Sequence, residues 1–344
     1  MRRRGQYHMK SRIACLVSML CVWITLCASA AAETIVLAVP GPGTYSYLPA
    51  YLAKAIAADR AEGLELRLRY FSGGPLAMRD MMSNNSDFVA LGLPAIASAR
   101  ADGVPVVAIG QLSQSAMYVF LLRADLKDQV HNIAQLKGKR IGTTSGTSTE
   151  RSMGYMMTKY LLQRAELKPG DVQYISAGQN RAGQRAALLT GTVDAILGDE
   201  PFASELVAEG AAIRLADLYL PKNSNDMLGG AIVHAALATR ADVYAQHPDT
   251  VKKVMRMFDR TLQWMAQHSA QEIVDKLSGQ PGFVPKQRKL LIDILQRNQG
   301  MYTSHVGWDS HAVATTERFF HSTAADSRES ALPFSDFVVG ASGK

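Results

Sequence analysis

The feature that most constrains this chain is a repeated exchange between short apolar or alternating runs and longer stretches of helical periodicity. Residues 34–39 (Thr34-Ile35-Val36-Leu37-Ala38-Val39) read as a strand buried on both faces. Residues 64–70 alternate residue by residue and read as a half-exposed strand. Two more strands are expected at 87–91 and 104–109. Beyond the apolar run 117–123 the pattern restarts, with strands at 140–143, 172–175, 193–197 and 213–215. Strands separated by helices need crossover connections, so the expected class is α/β with doubly wound, largely parallel sheets.

Two apolar segments, 117–122 and 231–237, interrupt that alternation and bracket the middle of the chain. They read as crossovers between two lobes: residues 31–114 with 231–344 in a discontinuous first lobe, and 115–230 in the second. A body of this length exceeds one comfortable core, which favours the division. In the returning segment, Val251, Val254, Met255, Phe258, Leu262 and Met265 fall on one helical face, as do Leu290, Leu291, Ile294 and Leu295 further on. These stripes are core positions, not a cofactor box.

The amino terminus has its own signature. Arg2, Arg3, Arg4, Lys10 and Arg12 precede an apolar run from Ile13 to Leu26, followed by Ala28-Ser29-Ala30. That is the layout of a secretory signal peptide over residues 1–30, cleaved after Ala30, from either Met1 or Met9. An uncleaved anchor is the rival reading. Lipidation at Cys27 is disfavoured by the bulky Leu26 before it. All 3 cysteines (Cys15, Cys21, Cys27) lie in this segment, so the mature chain has no thiol for disulfides, metal or nucleophilic catalysis. Of 37 Lys and Arg, the leader takes the five named, leaving 32 against 30 acids, a balance of +2 rather than +7. A nucleic-acid footprint is therefore not supported, and no cofactor is implied.

Ligands of open α/β sheets sit beyond the carboxyl ends of the strands. The loops there are small, polar and glycine-rich: Pro40-Gly41-Pro42-Gly43-Thr44-Tyr45-Ser46-Tyr47, Phe71-Ser72-Gly73-Gly74-Pro75 and Gly92-Leu93-Pro94-Ala95. In the middle block, Gly142 to Glu150 carries hydroxyls, and Thr147 and Glu150 have capping-box spacing, so a helix is expected to start there. A helix N-terminus beside free backbone N–H groups suits an anion. An ordinary capped helix explains the same residues, and the lysine of a nucleotide-binding loop is missing. The loops Ala177-Gly178-Gln179-Asn180 and Asp199-Glu200-Pro201 occupy equivalent places.

Several of these segments stand in a familiar order. They are Tyr47-Leu48-Pro49-Ala50-Tyr51-Leu52-Ala53, Gly63-Leu64-Glu65-Leu66, Asp87-Phe88-Val89-Ala90, Leu136-Lys137-Gly138-Lys139-Arg140-Ile141-Gly142, Leu189-Thr190-Gly191-Thr192-Val193-Asp194-Ala195 and Glu200-Pro201-Phe202. Over residues 34–207 the chain resembles the substrate-binding proteins of ABC importers in the taurine, alkanesulfonate, nitrate and thiamine-pyrimidine group. The resemblance implies a two-lobed type II periplasmic-binding fold, with a mixed, doubly wound sheet in each lobe. It further implies a periplasmic, monomeric receptor that passes a small-molecule solute to an inner-membrane permease. Carried over by position, the ligand contacts are Tyr45, Tyr47, Ser72, Gly73, Leu93, Pro94 and Gln114 in one lobe. In the other they are Ser145, Thr147, Ser148, Gln179 and Asp199 or Glu200. The Gly41-Pro42-Gly43 turn departs from the shorter turn common in that group.

The expected mechanism is capture of a small organic anion by closure about Gln114 and Gly229-Gly230, without chemistry. Asp199 or Glu200 could take the cationic part of a zwitterion, or serve only as a cap. A same-fold enzyme of pyrimidine or menaquinone metabolism and a ligand sensor for a membrane kinase are the rival readings. No histidine pair has metal-binding spacing, and no G-x-S-x-G elbow occurs. His234, on a crossover, reads as a core or hinge residue.

Overall fold

The computed structural model describes residues 32–143, 152–177 and 180–340. The proposed leader and the 144–151 loop lie outside these residues, as do Gly178 and Gln179. Among the described residues, ten strands form two five-stranded sheets. β1 (Glu33–Pro40), β2 (Leu64–Phe71), β3 (Phe88–Leu91), β4 (Val106–Ser113) and β10 (Ala235–Arg240) make the first, in the order β2-β1-β3-β10-β4. β5 (Tyr118–Arg123), β6 (Arg140–Thr143), β7 (Gln173–Ser176), β8 (Ala195–Asp199) and β9 (Ala212–Asp217) make the second, in the order β7-β6-β8-β5-β9.

The two sheets share one plan. In the first, β1 and β3 are parallel, and β10 runs antiparallel between β3 and β4. In the second, β6 is parallel to both neighbours, and β5 runs antiparallel between β8 and β9. The two antiparallel strands are the apolar segments that broke the sequence alternation. The second of them starts later than expected: residues 231–234 precede the ladder, and β10 begins at Ala235. The fold class is thus the expected α/β architecture, with two mixed sheets flanked by helices.

Helices on both faces explain why the central strands are apolar throughout, since neither face meets water. Leu37 and Val39 pack into one core cluster while Ala38 packs into another. Val119 and Leu121 likewise oppose Phe120 and Leu122. The edge strand β2 buries Leu64 and Leu66 and exposes Arg67 and Arg69, as its alternation predicts. The free edge of β4 is covered late in the chain by bridges from Tyr302 and Val338.

The helix Pro248–Gln267 buries Val251, Val254, Phe258, Leu262 and Met265, and adds Met257 and Thr261, while Met255 is only partly buried. It packs on the helices Leu48–Ala55 and Ala58–Ala61. Leu291, Ile294 and Leu295 are buried in the helix Arg288–Arg297. The first described helix after β6 is Met153–Arg164, with Ser152 as its N-cap: Ser152 accepts the Tyr155 N–H at 3.2 Å, while the capping box expected at Thr147 and Glu150 lies outside the described residues. No described helix is long and apolar enough to cross a membrane.

Candidate functional site

The loop after β1 is built around a close approach. Gly43 has φ +78°, and a Cβ there would lie 2.4 Å from the carbonyl oxygen of Gly282. Only glycine lets two backbones touch in this way. The Gly43 N–H donates to Tyr51 Oη at 3.2 Å, and Phe283 meets the Tyr51 ring edge-on at 5.0 Å. The Gly-Pro-Gly turn is therefore anchored to the C-terminal helical layer, and it delivers the single helical turn Tyr45–Tyr47 to a fixed place.

That turn is held from three directions. The Tyr45 N–H donates to the Glu200 carbonyl at 3.3 Å, and Tyr302 Oη donates to the Tyr45 carbonyl at 2.6 Å. Ser46 Oγ lies 2.8 Å from His234 Nε2. Just before it, Thr44 Oγ1 accepts from Arg181 Nη2 at 3.2 Å, and the same guanidinium pairs with Asp199 at 2.9 Å. Loops from the first sheet thus meet the end of β8 and the start of the helix Arg181–Leu189 from the second. Asn180 caps that helix by accepting the Gly183 N–H.

Tyr118 opens β5 directly opposite Asp199, and its ring meets the His234 imidazole edge-on at 5.0 Å. Burial, and then the nearby Asp199 charge, pushes the Tyr47 phenol above its ordinary range. Burial, then Tyr47 and Asp199, does the same to Tyr118. Both stay neutral donors. His234 is 3% exposed. Burial holds its pKa down at about 4 against a weaker upward pull from Asp199, so the ring is neutral at pH 7. Its Nδ1 has no hydrogen-bond partner among the described residues. A Cβ on Gly92 would lie 3.3 Å from the His234 carbonyl and 3.4 Å from Met153, so the helices starting at Leu93 and Met153 converge here.

The expected contacts distribute unevenly over this geometry. Tyr47, Asp199, and the backbone of Tyr45 and Glu200 come together, with buried Leu93 and Pro94 at the start of their helix. The Glu200 carboxylate points elsewhere: it is fully buried and accepts from Ser204 N at 3.1 Å, Ser204 Oγ at 2.9 Å and Arg214 at 3.3 Å. It closes the helix Phe202–Ala208, while Asp199 is taken by Arg181, so both acids have protein partners. Ser72 is exposed in a bend, and Gly73 is the N-cap of the helix Gly74–Met82. Gln114 donates to the Gly300 carbonyl at 2.8 Å and accepts the Ile232 N–H at 3.2 Å, which joins the two chain segments between the sheets. Ser145, Thr147, Ser148 and Gln179 lie outside the described residues.

Thr44, Ser46, Tyr118 and Arg181 were not singled out from sequence. Thr44 and Ser46 lie inside the Pro40–Tyr47 loop and Arg181 one residue past the Ala177–Asn180 loop, so the strand-end rule reaches them, whereas Tyr118 opens an antiparallel strand and only the pairing with β8 brings it to Asp199. Among the described residues there is no cluster of His, Cys, Asp and Glu that could hold a metal ion. Buried hydroxyls, a neutral imidazole and a paired guanidinium make a site for polar recognition.

The family model described as NMT1/THI5 like matches residues 47–272. YtlA, a proposed binding protein of Bacillus subtilis (strain 168), is 25% identical over 234 residues, or 67% of this chain and 66% of that one. The match takes in just under two thirds of that relative's length. A protein of Bordetella bronchiseptica RB50 superimposes with TM-score 0.77 at 21% identity, over 90% of this chain and 95% of that one. The alkanesulfonate-binding protein SsuA of Xanthomonas axonopodis pv. citri, bound to MOPS, gives TM-score 0.66 at 18% identity, over 85% and 94%. An enzyme shares the fold as well: the desulfurization enzyme DszB gives TM-score 0.60 at 17% identity, over 87% and 98%.

Proposed function

Since the chain belongs to the NMT1/THI5-like family, we propose that it is a periplasmic solute-binding receptor serving an ABC importer. The observation that carries this reading is the meeting of loops from both sheets at Thr44, Ser46, Arg181, Asp199 and His234. Residues 31–114 with 231–344 form one lobe and 115–230 the other, and the solute is enclosed where their strand ends face. Polar contacts meet at this seam while apolar ones cross elsewhere, as where Tyr160 meets Phe319 edge-on at 5.2 Å, and a ligand that adds contacts in the closed form shifts the population toward it. The permease reads the closed form.

The solute is a small organic anion. Arg181 opens a capped helix whose N-terminus favours negative charge, and Tyr47 and Tyr118 supply neutral hydroxyls beside it. SsuA, with the same fold, binds alkanesulfonates. Ser145, Thr147, Ser148 and Gln179 complete the site from the second lobe. Because Arg181 is neutralised by Asp199, binding relies on hydrogen bonds and helix ends more than on net charge.

One observation favours a second reading. Ser46 and His234 stand 2.8 Å apart, the geometry of a nucleophile and its base. Two facts weigh against it: an imidazole held at about 4 is a weak base, and Nδ1 has no carboxylate to orient it. A thermal-shift screen of alkanesulfonates, nitrate, aromatic carboxylates and pyrimidines separates the readings. Mass action predicts about 2.7 kcal/mol of stabilisation at a hundredfold excess over Kd. Turnover of any of these compounds, with none stabilising the protein, overturns the receptor.

A further inference from the structure

Within the Tyr45–Tyr47 turn, Ser46 and Tyr47 face His234 and Asp199, whereas Tyr45 lines a different space. This is a cavity of about 380 Å³ in the C-terminal helical layer, within the size range of small-molecule pockets. Its walls are Val274, Leu277, Phe283 and Leu291, and Val284, 44% exposed, stands at its rim. Tyr45 is 0% exposed and stacks on Phe283 at 6.3 Å, yet its hydroxyl has no hydrogen-bond partner among the described residues. Gln287 also lines the cavity. It spends its amide N–H on Glu205, which leaves a buried, unpartnered Oε1. A buried polar atom without a partner costs about 1–3 kcal/mol, and two of the side chains that line this apolar cavity each carry one, so a polar group brought to this lining has two groups to satisfy.

We propose that this cavity is a second binding site, for an uncharged molecule with an apolar body and one hydroxyl. A hydroxyl both accepts, as the Tyr45 phenol requires, and donates, as Gln287 Oε1 requires. A charge is disfavoured: Arg288 at the wall is already paired with Asp275, and the remaining lining offers no counter-ion. The proposal is independent of the receptor reading, because none of its residues contacts His234 or Asp199 through a side chain in the cluster described above.

The test uses 2-phenylethanol as probe and ethylbenzene as its hydroxyl-free control, with methyl NMR of the full mature chain. Saturable shifts at Val274, Leu277 and Leu291, with His234 unmoved, are expected for 2-phenylethanol. Ethylbenzene, and 2-phenylethanol on Tyr45→Phe, should each bind roughly fivefold more weakly, the loss of one hydrogen bond. Val274→Phe, checked for folding by circular dichroism, should abolish binding by filling the cavity. Absence of saturable shifts overturns the site. Equal affinity for both probes, or in Tyr45→Phe, overturns the hydroxyl recognition and leaves a dry apolar void. Undiminished binding to folded Val274→Phe places the probe elsewhere and also overturns the site.

Discussion

Acidification should test the His234 environment directly. The imidazole is 3% exposed, touches Ser46 Oγ and Tyr118, and is held at about 4, chiefly by burial. In the unfolded chain it titrates near ~6.5. Above that pH it is neutral in both states and contributes nothing to the slope. As pH falls from about 6.5 to about 4, the unfolded state binds a proton that the folded state refuses, so stability is lost across that window. Below about 4 both states are protonated and the loss stops. A gap of roughly 2.5 units at 1.36 kcal/mol per unit amounts to about 3 kcal/mol. Carboxylates titrate in the same range, so the measurement must be a difference. Urea unfolding of wild type and His234→Gln at half-unit steps between pH 7.5 and 3.5 supplies it. The wild type should lose about 3 kcal/mol more than the variant, nearly all of it between pH 6.5 and 4. Parallel curves, or an Hε1 resonance of His234 titrating near 6.5, would refute the reasoning, because either means the ring is solvated.

Two further substitutions probe how the site is positioned. Gly43→Ala combines a left-handed backbone with a Cβ pressed 2.4 Å from Gly282, and should cost at least about 2 kcal/mol by urea unfolding. Gly103→Ala, at φ +83° with open space, should cost only the conformational part of about 1 kcal/mol; equal losses would remove the contact argument. Glu200→Ala strands Ser204 and one face of Arg214 in the interior and should destabilise by about 3 kcal/mol, softened because Arg214 keeps Asp217. A loss of ligand affinity without a loss of stability would instead put the Glu200 carboxylate in the binding site.

Much of this architecture was legible because the signals are local. The buried stripe from Val251 to Met265 follows from helical spacing alone, and the two runs that broke the alternation became the two antiparallel strands. What could not be read depends on contacts between distant positions. Ser46 and His234 are 188 residues apart, and Gly43 meets Gly282 across a comparable stretch. No periodicity encodes such a meeting. For the same reason the sequence does not show that the Gly-Pro-Gly turn is half of a backbone contact whose other half, Gly282, lies in the C-terminal layer. The acids Asp199 and Glu200 were correctly placed at a strand end, but their partners Arg181 and Arg214 lie on other elements, so the sequence could not show that both were already taken.

The position of β10 in the first sheet has a consequence for how the chain is made. Between β3 and β4 there is no direct ladder; β10 joins them, and it begins only at Ala235. During synthesis the first four strands to emerge therefore cannot close their own sheet, although the intervening sheet has all five of its strands by Asp217. The first sheet to start leaving the ribosome is the last to be finished. Until β10 arrives, β3 and β4 carry open edges that invite pairing with other chains. A chain of this topology gains from being kept unfolded until its synthesis is complete.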